Sequence, residues 1–266
     1  MSDHVRGQDV LAAGAPEPDR RPRLLAGVGA AVLSAVPVVV LALAVRDASA
    51  PLVRFDERVI ASTTSFALRH DAVGVAAEVG GYLLHPWLYR IAVLVAAFVL
   101  WRRHARSAAL WAASTMVGGT LLGAGLKLLV SRARPLLDEP LHVASGYSFP
   151  SGHALNASLG VTLLLVLLWR PLGDRGHRGL ALGIGLLLVL LTGLDRLLLG
   201  VHFPTDVTAG WAIGALVVLA SWIAFGPTLR ERARLGTEQA VEAGASSSDS
   251  DRTTTDTTNT TARRTS

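Results

Sequence analysis

The 266-residue sequence has no cysteine, one lysine, and only 17% charged residues, against 51% hydrophobic ones. The missing cysteine excludes disulfide frameworks, thiolate metal sites and cysteine nucleophiles. A soluble domain carries roughly a quarter of its residues as Asp, Glu, Lys or Arg. Both ends of this chain are visibly polar, so the shortage of charge is concentrated in the middle, and the mean hydropathy is +0.44. Basic patches interleaved with aromatics are also missing. The sequence pI of about 10.6 therefore reflects arginines scattered in short clusters rather than a nucleic-acid-binding face.

Long uncharged runs are what the sequence does contain. Leu24–Val45 crosses 22 residues without a charge, enough for a hydrocarbon core of about 30 Å. Ala48-Ser49-Ala50 resembles a leader-cleavage site, but the preceding run exceeds the roughly 7–15 residues of a secretory apolar region. It is expected to be a retained span. Five more apolar stretches follow near Gly81–Trp101, Ser107–Leu129, Ala154–Trp169, Gly179–Leu194 and Val207–Phe225, the first of them interrupted by His85, Pro86 and Arg90. Gly118, Gly119, Gly123 and Gly125 within the third stretch suit close helix packing. Residues 1–23 read as a disordered cytoplasmic arm. Residues 227–266 read as a largely disordered tail, because 13 of the last 21 residues are Ser or Thr and such a segment buries too little apolar area to order itself. Loop 46–80 reads as a solvated interfacial helix or a lid.

Basic residues near the span ends divide 13 to 7 between the two sides. The positive-inside rule then places both termini in the cytoplasm and loops 46–80, 130–153 and 195–206 outside.

Lys127, the single lysine, falls near the end of an apolar span. Ionisable groups in such positions are functional candidates by default, although a lysine there also snorkels to the interface. Seven residues on come Arg134 and Pro135. If the helix continued, the two cations would share a face two turns apart, forming an anion site at the rim. Phe149-Pro150-Ser151-Gly152-His153 then places a hydroxyl, a glycine amide and an imidazole at the start of the fourth span. A helix N-terminus there favours an anion; an ordinary Ser-Gly helix start with an interfacial His reads the same way. The third outer loop carries Arg196, His202 and Asp206, with Pro204 fit for the first turn of the last span. The carboxylate can orient one imidazole nitrogen and leave the other free to attack, or the trio are interfacial charges flanking a helix.

Together these motifs resemble the type 2 phosphatidic acid phosphatase superfamily, whose signature reads K-x6-R-P, P-S-G-H and S-R-x5-H-x3-D. Here they stand as Lys127…Arg134-Pro135, Pro150-Ser151-Gly152-His153 and Arg196…His202…Asp206, with Asp195 in place of the serine. A carboxylate at position 195 either repels phosphate or turns aside to pair with an arginine. The resemblance implies an all-α, polytopic bundle of six transmembrane helices over residues 24–226. It also implies metal-independent hydrolysis of a lipid phosphate or diphosphate, of the phosphatidate or undecaprenyl diphosphate type, with no cofactor. His202 would be the nucleophile, Asp206 its orienting partner, and His153 the acid and base. Lys127, Arg134, Ser151, Gly152 and Arg196 would hold the phosphate. Partners would be the phosphorylated lipid and the membrane, not nucleic acid, at an extracytoplasmic site in the cell membrane. A phosphotransferase using the same site, or a non-catalytic transporter of phosphorylated lipid, are the alternatives. Vanadium haloperoxidases share the anion site but are soluble.

Overall fold

A computed structural model describes residues 21–137 and 141–226. The described residues form helices and connecting loops, with no strand. In chain order the helices are α1 (Arg21–Arg46), α2 (Ala50–Arg69), α3 (Asp71–Leu83), α4 (Pro86–Arg102), α5 (Arg106–Val130), α6 (Gly152–Leu168) and α7 (Arg175–Leu198), followed by α8 (Pro204–Gly226). The expected arm and tail lie outside the described residues, apart from the first residues of α1.

The apolar stretches of the sequence fall on helices, Gly81–Trp101 being broken at Leu84 and His85 between α3 and α4, but they do not make six equal spans. Four segments are long and apolar enough to cross a membrane: Asp71–Arg102, α5, α7 and α8. Ala35–Arg46 and Ala50–Arg69 qualify only as a pair, bent by 87°. α6 is a shorter apolar helix of 17 residues. Its shortness goes with its place. Ala154 to Val161 are all buried, so α6 runs through the middle of the bundle, touching other helices instead of lipid, and a helix apolar all round belongs in such a core. The lipid-facing character sits on its neighbours, where Leu121, Leu128, Leu186 and Leu187 are exposed. The chain is a multi-pass membrane protein.

The core is built around α6 from Tyr89 and Val93 of α4, Trp111 and Met116 of α5, and Ile213 and Val218 of α8. Two glycines of α8 set the tightest approach. A Cβ at Gly210 would lie 2.7 Å from the Ser151 carbonyl oxygen, and one at Gly214 would lie 2.6 Å from that of Leu155. The two backbones meet directly there, as small residues allow in membranes. Of the four α5 glycines, Gly119 and Gly123 pack on Leu159 and Leu155, while Gly118 and Gly125 meet nothing within 4 Å. This arrangement brings the end of α5, the start of α6, the end of α7 and the start of α8 to one end of the bundle.

Loop 46–80 is helical, as one of its two readings has it. It folds into α2 and most of α3, joined at His70. α2 buries Asp56, Ile60, Thr64 and Ala67, one face of the helix, and Asp56, expected among solvated charges, is fully buried.

Candidate active site

α5 stops earlier than a shared Lys127–Arg134 face requires. Ser131 adopts a left-handed conformation (φ 51°) and its N–H closes on the Lys127 carbonyl, so Arg134 stands on an extended segment. Pro135 keeps Arg134 itself out of helical geometry, because its ring disfavours that geometry in the residue before it. The two cations still converge. Lys127 Nζ donates to the Tyr147 carbonyl at 2.6 Å. Arg134 donates to Gly146 O at 3.0 Å and Val201 O at 2.7 Å, while its Nη1 lies 3.3 Å from His202 Nε2.

The second motif opens α6. The Phe149–Pro150 peptide is cis, and Ser151 is the N-cap, its Oγ accepting from Ala154 N–H. Ser151 N–H donates to the Asp206 carbonyl at 2.9 Å, which locks the start of α6 to the start of α8. A Cβ on Gly152 would come 4.0 Å from Lys127 Cε, so the lysine stem passes beside the helix N-terminus.

The third motif bridges α7 and α8. α7 closes with Leu199 N–H on Asp195 O and Val201 N–H on Arg196 O. Gly200, at φ +71°, supplies the left-handed residue that ends a helix and turns His202 back over the bundle. Pro204 opens α8 as expected, and Asp206 Oδ2 reaches back to Phe203 N–H at 2.9 Å, as the acidic member of a capping box does. The same oxygen lies 3.5 Å from His202 Nδ1, which has no closer hydrogen-bond partner among the described residues. With Arg134 donating toward Nε2, the imidazole proton belongs on Nδ1 and Nε2 keeps its lone pair. His202 is 3% exposed, and burial, with Arg134 and Lys127 nearby, pulls it from its ordinary value near 6.5 to about 4 against the pull of Asp206. The ring is thus held neutral.

Opposite stands Arg196. Its Nε and Nη2 both bond Asp195 Oδ2, and its Nη1 reaches His153 Nε2 at 3.3 Å. Of the two fates open to Asp195, pairing with an arginine is the one found: the carboxylate turns aside and leaves one guanidinium nitrogen directed to the site. His153 in turn meets His85 edge-on, ring centroids 5.4 Å apart. All eight residues read from the motifs come together at this end of the bundle.

Four residues that the motifs do not include complete it: Arg132, Asp56, Thr205 and Phe203. Arg132 Nη1 donates to Asp206 Oδ1 and to Thr205 Oγ1, each at 2.7 Å, and its Nη2 donates to Asp56 Oδ2 at 2.7 Å. Asp56 Oδ1 also accepts Thr205 N–H at 3.2 Å. Arg132 lies over the Phe203 ring, 4.1 Å from its centroid. One cation is thus clamped between two buried carboxylates, which fixes the Asp206 side chain beneath His202. The sequence carries a faint signal for Asp56: it shares the i, i+4, i+8 face of α2 with Ile60 and Thr64.

A family model described as the PAP2 superfamily matches residues 108–229. Phosphatidylglycerophosphatase B of Bacillus subtilis is 36% identical over 105 residues, covering 38% of this chain and 51% of that protein. Undecaprenyl-diphosphatase of Sulfolobus acidocaldarius is 32% identical over 138 residues, covering 49% and 59%. The chain therefore spans about half the length of these relatives. Among solved structures, the transmembrane PAP2 type phosphatidylglycerolphosphate phosphatase from Bacillus subtilis superposes with a TM-score of 0.62 at 25% identity, over 72% of this chain and 93% of that one.

Proposed function

We propose, from the premise that this chain belongs to the PAP2 superfamily, that it is a membrane phosphatase that removes the terminal phosphate of a lipid phosphate or diphosphate. The observation that carries this reading is the buried His202, with Asp206 at 3.5 Å on one nitrogen and Arg134 at 3.3 Å from the other.

His202 Nε2 attacks phosphorus in line with the leaving oxygen. As the N–P bond forms and the P–O bond breaks, His153 gives its proton to the leaving oxygen. Asp206 steadies the positive charge that develops on the imidazole. Lys127, Arg134, Arg196, Ser151 Oγ and the Gly152 amide hold the non-bridging oxygens, where phosphoryl transfer concentrates its need for stabilisation. Water then attacks the phosphohistidine, His153 takes its proton, the P–N bond breaks, and inorganic phosphate leaves. In the resting geometry Arg196 donates to His153 Nε2, so the acid form of His153 requires that contact to be exchanged for substrate. The relatives' names point to phosphatidylglycerophosphate and undecaprenyl diphosphate as substrates. Both molecules carry a second phosphate between the terminal one and the lipid tail. The positive-inside distribution supports an extracytoplasmic site.

Detergent-purified protein should release phosphate from such lipids with EDTA present. His202→Ala should lose several orders of magnitude in turnover, as nucleophile deletions do. Activity that EDTA abolishes, or that survives in the variant, would overturn the histidine mechanism; product that appears only with an alcohol acceptor would indicate transfer instead.

A further inference from the structure

α4 carries a cation that has no counter-ion among the described residues. Arg90 lies one turn into an apolar helix, half-buried, and among the described residues it makes no ion pair. A charge placed inside a span is costly, and such residues face a partner or a polar path. An anchoring arginine would turn outward to the headgroups. Arg90 Nε instead points inward and donates to Asn156 Oδ1 at 3.0 Å. Asn156 is buried on α6, receives a second donor from Thr120 of α5, and passes its own amide to the Gly152 carbonyl at 2.8 Å. One side chain therefore ties Arg90 to the residue whose amide faces the proposed phosphate. Arg90 Nη1 and Nη2 make no hydrogen bond among the described residues, and the guanidinium lies 5.1 Å from the Trp87 ring centroid.

The spacing gives this cation a use. Asn156 is four residues along α6 from Gly152, so Arg90 is held about 6 Å, one helical turn, deeper than the helix start. A lipid whose terminal phosphate sits over His202 must lead its remaining atoms from there toward the bilayer. We propose that Arg90 is a subsite for a second phosphate on the substrate's leaving group, bound through its free Nη pair. This rests on the phosphatase reading above. The chemistry is that of a phosphate anion whose remaining substituents lead to the tail: the diester phosphate of a glycerol-linked lipid, or the inner phosphate of a diphosphate. A substrate with a single phosphate leaves the subsite empty.

Phosphate release from phosphatidate, phosphatidylglycerophosphate and undecaprenyl diphosphate tests it, using full-length wild type, Arg90→Gln and Arg90→Lys in mixed micelles. A parallel thermal-shift titration with the same lipids reads binding without turnover. Loss of a charge-assisted contact should lower kcat/KM about tenfold or more for the two-phosphate lipids, less than about twofold for phosphatidate, with Lys intermediate. Wild type should gain more thermal protection from the two-phosphate lipids than from phosphatidate, and Arg90→Gln should lose that excess. Equal losses on all three lipids, or no loss on any, overturn the subsite. If wild type releases no phosphate but still shows the Arg90-dependent protection, the subsite stands and the phosphatase reading falls. If neither variant keeps the unliganded melting temperature of wild type, Arg90 is a packing residue and the proposal is overturned.

Discussion

His202 shows how much a single residue's chemistry depends on what surrounds it. A free imidazole would be half protonated near 6.5, whereas burial among cations brings this one to about 4. Protonation would consume the attacking lone pair, so the acid limb of the rate should follow the folded value. kcat/KM measured against pH should follow a bell: its acid limb falls by half only near pH 4, once corrected for the substrate's own ionisation, and its alkaline limb follows loss of the proton that His153 must give. An acid limb centred near 6.5 would mean that burial and the neighbouring cations do not hold the ring neutral below its ordinary range. The stability linkage has the same origin. The unfolded chain takes up this proton below about 6.5 and the folded one resists it, so stability from this group is complete above that value and declines as pH falls toward 4. Asp56→Asn in the same assay removes one of the two carboxylates that share Arg132. Arg132 then belongs wholly to Asp206, less negative charge reaches His202, and the acid limb should shift further down in pH.

The helices were legible from apolar runs, because crossing a membrane demands some 20 uncharged residues and leaves an unmistakable pattern. Less legible was what the elements do at their ends. Nothing in the run Ser107–Leu129 announces that the chain leaves the helix at Ser131, since that depends on one left-handed residue. The motif residues were readable because their spacing is local to each segment. Asp56 was not, because the contact that gives it meaning is with Arg132, 76 residues away, and its charged neighbours made it look solvated. The helix contacts themselves are testable through the glycines. Gly214→Val should destabilise the protein by about 1–3 kcal/mol, as overpacking does, because its Cβ would meet α6 backbone at 2.6 Å. Gly118→Ala, on open surface, should instead stabilise by up to about 1 kcal/mol through helix propensity. Thermal unfolding in detergent reads both, and a Gly214→Val protein as stable as wild type would mean that the α6 and α8 backbones do not meet at Gly214.

At the scale of the whole molecule, the absence of cysteine becomes an experimental advantage. A single cysteine introduced at exposed Ser145 or at exposed Arg175 is the only thiol present. In intact cells an impermeant maleimide should label position 145 and not position 175 if the site faces outward, and the reverse pattern would invert the orientation. The family match begins at residue 108, yet the carboxylate that shares Arg132 comes from α2, at residue 56. The stretch that looks inheritable from sequence is therefore smaller than the unit that works electrostatically. A graft of residues 108–229 onto a foreign frame would carry all three motifs and still arrive with half of its Arg132 clamp missing, so what must be transplanted is a charge balance, and that balance begins before the recognisable part of the chain.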